Sequence, residues 1–532
     1  MSPAADDPAS QPPASPPERV PLPVAGQGPP FRDPRTRAGA AAAGTTDPPV
    51  VAFVSLGCVK NLVDSEKMLG QLVEAGVLIS GDESAADTVV VNTCGFLGQS
   101  RDEAVEILRE LAQRKRSGDL KRIVVAGCLA QRDGQALLDL VPEIDALVGV
   151  NNRDDVVRAV VWGRRSTRAA DGRKPSEAVS RKPGKRAAGL RPRGPQRVRG
   201  GDSSADLYLS AYHPQPWSDQ GRLRITPRHY AYVRISEGCD QKCTFCTIPS
   251  IRGPLHCKPP EQIVAECREM IADGARELIL IGQDTTSYGA DIGYGPGLAG
   301  LLRTLDAACD GARWLRLMYV YPSILTDEML DAIAECARLV KYIDIPLQHI
   351  SDRVLRAMHR RVTRRQTEDL LARIRRRIPG VTIRTTFIVG FPGETEAEFE
   401  ELLAFVRDFG FDDVGAFKYS NEPGTPAFRM KGQLDDAVIE ERYERLMLAQ
   451  QELAFAAARK MIGRTFDVVI DEAGDDEQYA VARHAGQAPD VDPCCLLAGA
   501  AFEPGDCLSA RCVDTDGYDL VIEPAGDLSN GA

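Results

Sequence analysis

From Val50 to residue 127 short apolar runs alternate with amphipathic stretches. VVAFVSL, DTVVVNT and KRIVVAG read as strands, and DSEKMLGQLVEAG and SRDEAVEILRELAQRKR as the helices between them. Runs this rich in β-branched residues, without polar alternation, predict a parallel sheet buried on both faces. The alternation resumes at Tyr230, with strands expected over 230–236, 277–282, 314–320, 342–347, 382–390 and 413–419. Thr395 followed by Glu398 predicts a capping box on one of the intervening helices. Six such units fall two short of a closed eight-stranded barrel, so an open, partial barrel is expected. A long helical period at 435–460 then gives way to RTFDVVIDE, QYAVARH and GYDLVIEP, short alternating strands punctuated by Gly and Asp. The predicted class is α/β: an N-terminal parallel-sheet α/β domain, a central partial (β/α)6 TIM-like barrel and a C-terminal small antiparallel β-barrel.

Two segments stand outside this pattern. Residues 1–49 are rich in Pro, Ala, Gly and Asp and read as a disordered tail. Between Val161 and Gly200 thirteen Lys and Arg face two acids, a local charge of +11 within a net charge of −11 for the 532 residues. This basic stretch predicts a solvated linker or insertion over 164–224, with a nucleic-acid-contacting arm as the alternative. The domains are expected over 50–163, 225–457 and 458–527. No apolar run approaches the roughly 20 residues that span a bilayer, and the N-terminal residues lack the pattern of a secretion signal. A cytoplasmic protein without a membrane partner is expected, and its fourteen cysteines predict metal ligation or catalysis rather than disulfides.

Six cysteines stand out by position. Cys58, Cys94 and Cys128 each follow one of the first three strands, one βα unit apart. The carboxyl ends of neighbouring parallel strands line one edge, so these thiols can converge without a local motif. Taken singly, each also reads as a small buried hydrophobe. Cys239, Cys243 and Cys246 lie within eight residues of SEGCDQKCTFCTIPSIRG, just past the first barrel strand. Three thiolates suit an iron–sulfur cluster with one open iron. A zinc site would have to recruit His256 or Cys257 from beyond Pro254. Cys257, Cys267, Cys309, Cys336, Cys494, Cys495, Cys507 and Cys512 read as packing residues. GYGPGLAG (293–300) reads as a loop and not a nucleotide fingerprint.

CxxxCxxC with Phe245 before its last cysteine resembles the radical S-adenosylmethionine enzymes. LGCVKNLVDSE, VNTCGF, AGCLAQR, GQDTTSYG, IPLQH and TFIVGFPGET narrow the resemblance to the methylthiotransferases, and the last segment is similar to a TRAM domain. The resemblance covers 50–163 and 225–527. It implies two [4Fe-4S] clusters and S-adenosyl-L-methionine as cofactors. Cys239, Cys243 and Cys246 would hold the cluster that cleaves S-adenosylmethionine, and Cys58, Cys94 and Cys128 the one that carries the donated sulfur. One S-adenosylmethionine would methylate that sulfur, and a second would supply a radical that abstracts hydrogen from the substrate carbon. Phe245, Gln283 and Asp284 are candidate cofactor contacts, the latter two with loop capping as the alternative. Thr386, Gly390 and Pro392 are expected to shape the same pocket, and His349 to be structural.

The family has a transfer-RNA branch and a branch acting on the β-carbon of an aspartate in small-subunit ribosomal protein S-twelve. PLQH (346–349) and ARHAGQAPDVD (482–492) resemble the second. Met461–Asp527 carries three Arg against fifteen Asp and Glu, which repels an RNA backbone and suits a basic protein partner. The expected substrate is that ribosomal protein, on the subunit or free, with an external electron donor and sulfur source. The enzyme is expected to be a monomer. The alternatives are a transfer-RNA modifying enzyme and a non-catalytic iron–sulfur protein that binds ribosomes.

Overall fold

The computed structural model describes residues 48–161, 196–200, 203–211, 217–474, 479–498 and 502–525. The predicted tail and the most basic part of the predicted linker lie outside the described residues. Seven strands form the first sheet: β1 (Val50–Ser55), β2 (Leu78–Ser80), β3 (Thr88–Thr93), β4 (Arg122–Gly127), β5 (Ala146–Gly149), β6 (Gln196–Gly200) and β7 (Ser203–Tyr208), in the order β2-β1-β3-β4-β5-β7-β6. All neighbours pair in parallel except β6 with β7. Both faces are covered. Val51 and Phe53 join Val90 and Val124 in one cluster, while Ala52 and Val54 join Val89 and Val91 in the other.

The hairpin β6–β7 corrects the linker expectation. Within 164–224, β7 pairs with β5 through Asp206, Leu207 and Tyr208 and buries Ala205 and Tyr208. An unpaired β5 edge offers hydrogen bonds to any extended segment, and SSADLY supplies one once the Lys/Arg run has ended.

The barrel strands are β8 (Tyr230–Arg234), β9 (Ser236–Glu237), β10 (His256–Cys257), β11 (Glu277–Ile281), β12 (Trp314–Leu317), β13 (Tyr342–Asp344), β14 (Thr382–Val389) and β15 (Asp413–Lys418). Two parallel three-stranded sheets, β12-β11-β8 and β13-β14-β15, meet at a bridge between Leu315 and Leu339. This is the expected open, partial (β/α)6 barrel, split at its middle. The capping box at Thr395 and Glu398 is present, and the long helix runs Asp436–Arg459.

The C-terminal unit is a closed barrel of β16 (Thr465–Glu472), β17 (Ala480–His484), β18 (Cys495–Leu497), β19 (Cys507–Asp516) and β20 (Asp519–Pro524). It is not wholly antiparallel: β18 pairs with β20 in parallel to close it. A single cluster fills the lumen of the central barrel. Tyr230, Tyr232, Ile279, Ile281, Trp314 and Tyr342 of the barrel pack there with Val63 of the first domain and Val469 and Ala488 of the last.

Candidate active site

The structure brings the two cysteine trios to facing strand ends. Cys58 is the N-cap of α1 (Val59–Glu74), Cys94 directly follows β3 and Cys128 directly follows β4. One amide gathers the three turns. Asn61 Nδ2 donates to Leu56 O (3.1 Å) and Thr93 O (2.8 Å), and its Oδ1 accepts from the Cys128 thiol (3.4 Å). A Cβ on Gly57 would stand 2.7 Å from Cys94 Cβ at a φ of +92°, so only glycine lets these two cysteines approach. Burial raises the Cys94 thiol and pushes Cys128 up to about 12. A metal bound here must therefore displace protons.

The second trio sits in a loop closed at its base by the antiparallel pair β9–β10. Within it Cys239 N donates to Gly253 O (3.2 Å), Cys246 N to Cys243 O (3.2 Å) and Thr244 N to Met358 O (3.1 Å). A Cβ on Gly238 would lie 2.0 Å from Pro254 O, which makes glycine necessary before Cys239. Burial pushes Cys239 and Cys246 up to about 12. Arg360 stacks on Tyr321 at 4.2 Å and reaches Cys243 Sγ at 3.8 Å. Among the described residues no three His, Cys, Asp or Glu side chains are gathered tightly enough for a single metal ion. His256 lies against Asp291 (3.4 Å) and Cys257 Sγ accepts from Gly289 N, so neither completes a zinc site with the trio.

Around this loop the residues suit a polar cofactor. Gln283 Nε2 donates to Glu237 Oε1 (2.6 Å), yet its Oε1 and the Ser236 hydroxyl are buried without partners. Asp284 accepts from Ser287 N (3.2 Å) and Oγ (2.7 Å), which is the loop-capping alternative, and also from Gln241 Nε2 (2.9 Å) in the cysteine loop. Phe245 packs against a core that includes Phe391 and Tyr419. Thr386 O accepts from Gln348 N, whereas Gly390 lies under Ile439 of the long helix, where a Cβ would meet Ile439 at 2.5 Å. His349 is fully buried beside Glu394 (3.4 Å) and accepts from Ser351 N. Of the remaining cysteines, Cys257, Cys267, Cys309, Cys336, Cys495 and Cys512 are buried and Cys494 is half-buried, whereas Cys507 is exposed, its thiol against Gly505 O at 3.6 Å.

Between the trios lies a buried network that the sequence did not announce. Arg153, Arg234, Arg252 and Lys258 meet Asp64, Asp219, Glu237 and Glu266, four cations on four anions. Burial by itself would raise Asp219, but Arg234, Lys258 and Arg153 hold it well below the ordinary carboxylate range. Trp217 lies over Arg234 (4.6 Å) and Lys258 (4.4 Å). Arg252 joins both sites: it belongs to the loop of the second trio, yet its Nη2 donates to Asn61 Oδ1 at 2.5 Å. A second latch is Glu422, which accepts from Gly98 N (2.7 Å) at the start of α2 (Gly98–Ser117) and pairs with Arg132 (2.8 Å), itself donating to Gly95 O beside Cys94.

Lys60, two residues from Cys58, is 6% exposed, and its Nζ stands 3.0 Å from the centroid of the Tyr319 ring. Tyr319 is held at φ +61°, a region costly for a non-glycine residue, with its N–H donating to Asp344 Oδ2.

At the opposite end, the C-terminal barrel seals the N-terminal mouth of the central one. Arg483 bridges Glu277 (2.9 Å) and Asp471, Arg316 pairs with Glu277 (2.6 Å), and Asp471 accepts from His229 (2.7 Å). Asp490 and Asp492 accept from the hydroxyls of Tyr232 (2.9 Å) and Tyr342 (2.7 Å). Several of the fifteen acids counted toward a basic partner are thus held inward against the central barrel.

Comparison with known proteins agrees with this arrangement. The profile of the Radical SAM superfamily matches residues 233–406, that of Uncharacterized protein family UPF0004 residues 50–149 and that of the TRAM domain residues 462–524. The chain is 39% identical over 474 residues to the ribosomal protein uS12 methylthiotransferase RimO of Trichlorobacter lovleyi, covering 89% of this chain and 97% of that one. It is 41% identical over 470 residues to the same-named protein of Anaeromyxobacter sp. (strain K), covering 88% and 91%. The chain belongs to the RimO family. Family membership makes it a radical SAM enzyme, with S-adenosylmethionine and a [4Fe-4S] cluster as cofactors. The solved radical S-adenosylmethionine methyltransferase TsrM of Kitasatospora setae is 16% identical over 71% of this chain and 74% of that one, at a TM-score of 0.47, a likeness too slight to bear on function. Among the described residues no helix is long and apolar enough to cross a membrane.

Proposed function

We propose that this RimO-family chain transfers a methylthio group to the β-carbon of an aspartate in ribosomal protein uS12 (S-twelve). The observation that carries the reading is the placement of two cysteine trios at facing strand ends of adjoining domains, with Arg252 tied to both. In this reading Cys239, Cys243 and Cys246 hold one [4Fe-4S] cluster and Cys58, Cys94 and Cys128 hold a second. When bound, the clusters and S-adenosylmethionine supply the radical that breaks an unactivated C–H bond and the sulfur that replaces the hydrogen. The chain's own part is to hold and orient. Gln283 Oε1 and the Ser236 hydroxyl offer polar contacts to S-adenosylmethionine, and Asp284 braces the cysteine loop through Gln241. Asn61, Gly57 and Arg132 fix the turns that carry the other trio, and Val63 anchors α1 in the lumen cluster.

Two measurements test this. Iron and sulfide analysis after anaerobic reconstitution is expected to give about eight irons per chain, falling to about four when either trio is replaced by alanine. A single-cluster count in the wild-type protein would remove the second site. Mass spectrometry of uS12 from cells lacking this chain is expected to show loss of the methylthio mass. Survival of that mass, with loss of a transfer-RNA modification instead, would overturn the substrate assignment.

A further inference from the structure

Lys60 is the charge left over where the two domains meet. Its nearest carboxylates are all engaged. Glu237 is held by Gln283, Arg234 and Arg252, and Asp344 by Arg384 (3.1 Å) and the Tyr319 N–H (3.0 Å). Asp64 is held by Arg153, Arg234 and Arg252. The neighbouring network is already balanced at four cations and four anions. Among the described residues Lys60 forms no hydrogen bond or ion pair, and its Nζ lies over the face of Tyr319. A buried cation without an anion is costly. The helix also argues against a stabilising role, since the first turn of α1 is where the backbone dipole disfavours positive charge. The ring beneath it is fixed by a strained backbone, a device that persists where function requires it. Lys60 stands next to both trios: it lies two residues from Cys58, and its neighbour Asn61 accepts from Arg252 of the second trio's loop.

We propose that the Lys60 ammonium, seated on Tyr319, is the subsite for the side-chain carboxylate of the substrate aspartate. The inference rests on the proposed function, under which the aspartate of the protein substrate brings its side-chain carboxylate to the space between the trios. It also explains a requirement of the reaction. The β-carbon is bonded directly to the carboxylate carbon, so anchoring the carboxylate fixes the carbon from which hydrogen is taken and to which sulfur is added. A substrate lacking the charge leaves Lys60 unpaired, which turns the cost of burying it into discrimination.

The test compares two uS12-derived peptides, one carrying the target aspartate and one with asparagine there, on the reconstituted enzyme. Affinity is read by fluorescence anisotropy, and turnover by peptide mass and by 5′-deoxyadenosine release. The wild-type enzyme is expected to bind the aspartate peptide about ten- to a hundredfold more tightly than the asparagine peptide, the scale of one charge-assisted hydrogen bond. Lys60→Met and Lys60→Gln are expected to abolish that preference, raise KM for the aspartate peptide and leave iron content in place. The ratio of the two peptides on one variant does not depend on the fraction folded. A flat ratio in the wild type, or a ratio that either variant retains, overturns the subsite. If the wild-type enzyme modifies neither the peptide nor intact uS12, the functional reading fails instead.

Discussion

The two mouths of the central barrel are closed by the same means and left in different states. At the N-terminal ends of the strands Glu277, Asp471, Asp490 and Asp492 each engage a barrel or β17 partner, and the loop between His484 and Asp492 plugs the opening. At the C-terminal ends an equally buried set of ions is also balanced, but Lys60, Gln283 Oε1 and the Ser236 hydroxyl remain over. The difference separates a joint from a site. At the N-terminal closure the unpartnered atoms, His229 Nδ1 and Arg316 Nη2, belong to groups already ion-paired through another atom, whereas the Lys60 ammonium is a whole charge without an ion pair, which a closure has no reason to bury.

The largest expected effects test whether the two closures are alike in strength and unlike in consequence. Asp219→Ala leaves Arg153, Arg234 and Lys258 short of an anion, and Glu277→Ala does the same to Arg316 and Arg483. Each is expected to cost about 3–5 kcal/mol in urea denaturation. Only Asp219→Ala is expected to lower iron retention after reconstitution, because its network reaches Asn61 through Arg252. Equal iron loss in both variants would erase the distinction. Next, Glu422→Ala removes the acceptor at the start of α2, where Leu97 provides no side-chain cap, and is expected to cost about 1–2 kcal/mol in the same assay. The smallest effect concerns pH. Burial, with Arg316 and Arg483 nearby, lowers His484 to about 4. Its folded pKa lies below the unfolded value near 6.5, so the unfolded chain binds the extra proton, and stability falls as pH drops from 6.5 toward 4. His484→Gln is expected to flatten the change in urea midpoint between pH 7 and pH 5; an unaltered slope would show that this histidine is not buried neutral.

Chain pattern made some of this legible and hid the rest for identifiable reasons. The trio Cys239, Cys243 and Cys246 is written in local spacing, and Cys58, Cys94 and Cys128 in their phase with three strands. The parallel sheet, the partial barrel and the capping box at Thr395 followed from periodicity. β18 and β19 did not, because a three-residue strand and one broken by Asp and Thr carry little alternation. β6 and β7 were obscured by the basic residues before them, a composition that speaks of solvation and says nothing about an open sheet edge. Asn61, Arg252, Asp219 and Glu422 are invisible locally, since their partners lie up to hundreds of residues away. One signal was available for Lys60. VKNLVDSE opens a helix with Lys60, Asn61, Asp64, Ser65 and Glu66 together, and all five are buried. A polar run immediately after a candidate ligand marks a helix face turned toward another domain rather than toward water.

The lumen cluster has a consequence for how the molecule comes apart. Val63, Tyr232, Trp314, Val469 and Ala488 belong to three domains yet share one core, so no domain can leave without exposing apolar surface of the other two. Chains of this size commonly melt in stages, domain by domain. Here the three units are expected to behave as one cooperative block, with a single calorimetric endotherm whose van't Hoff and calorimetric enthalpies approach each other. Separate endotherms for the N-terminal, central and C-terminal units would show that the shared core is too weak to couple them.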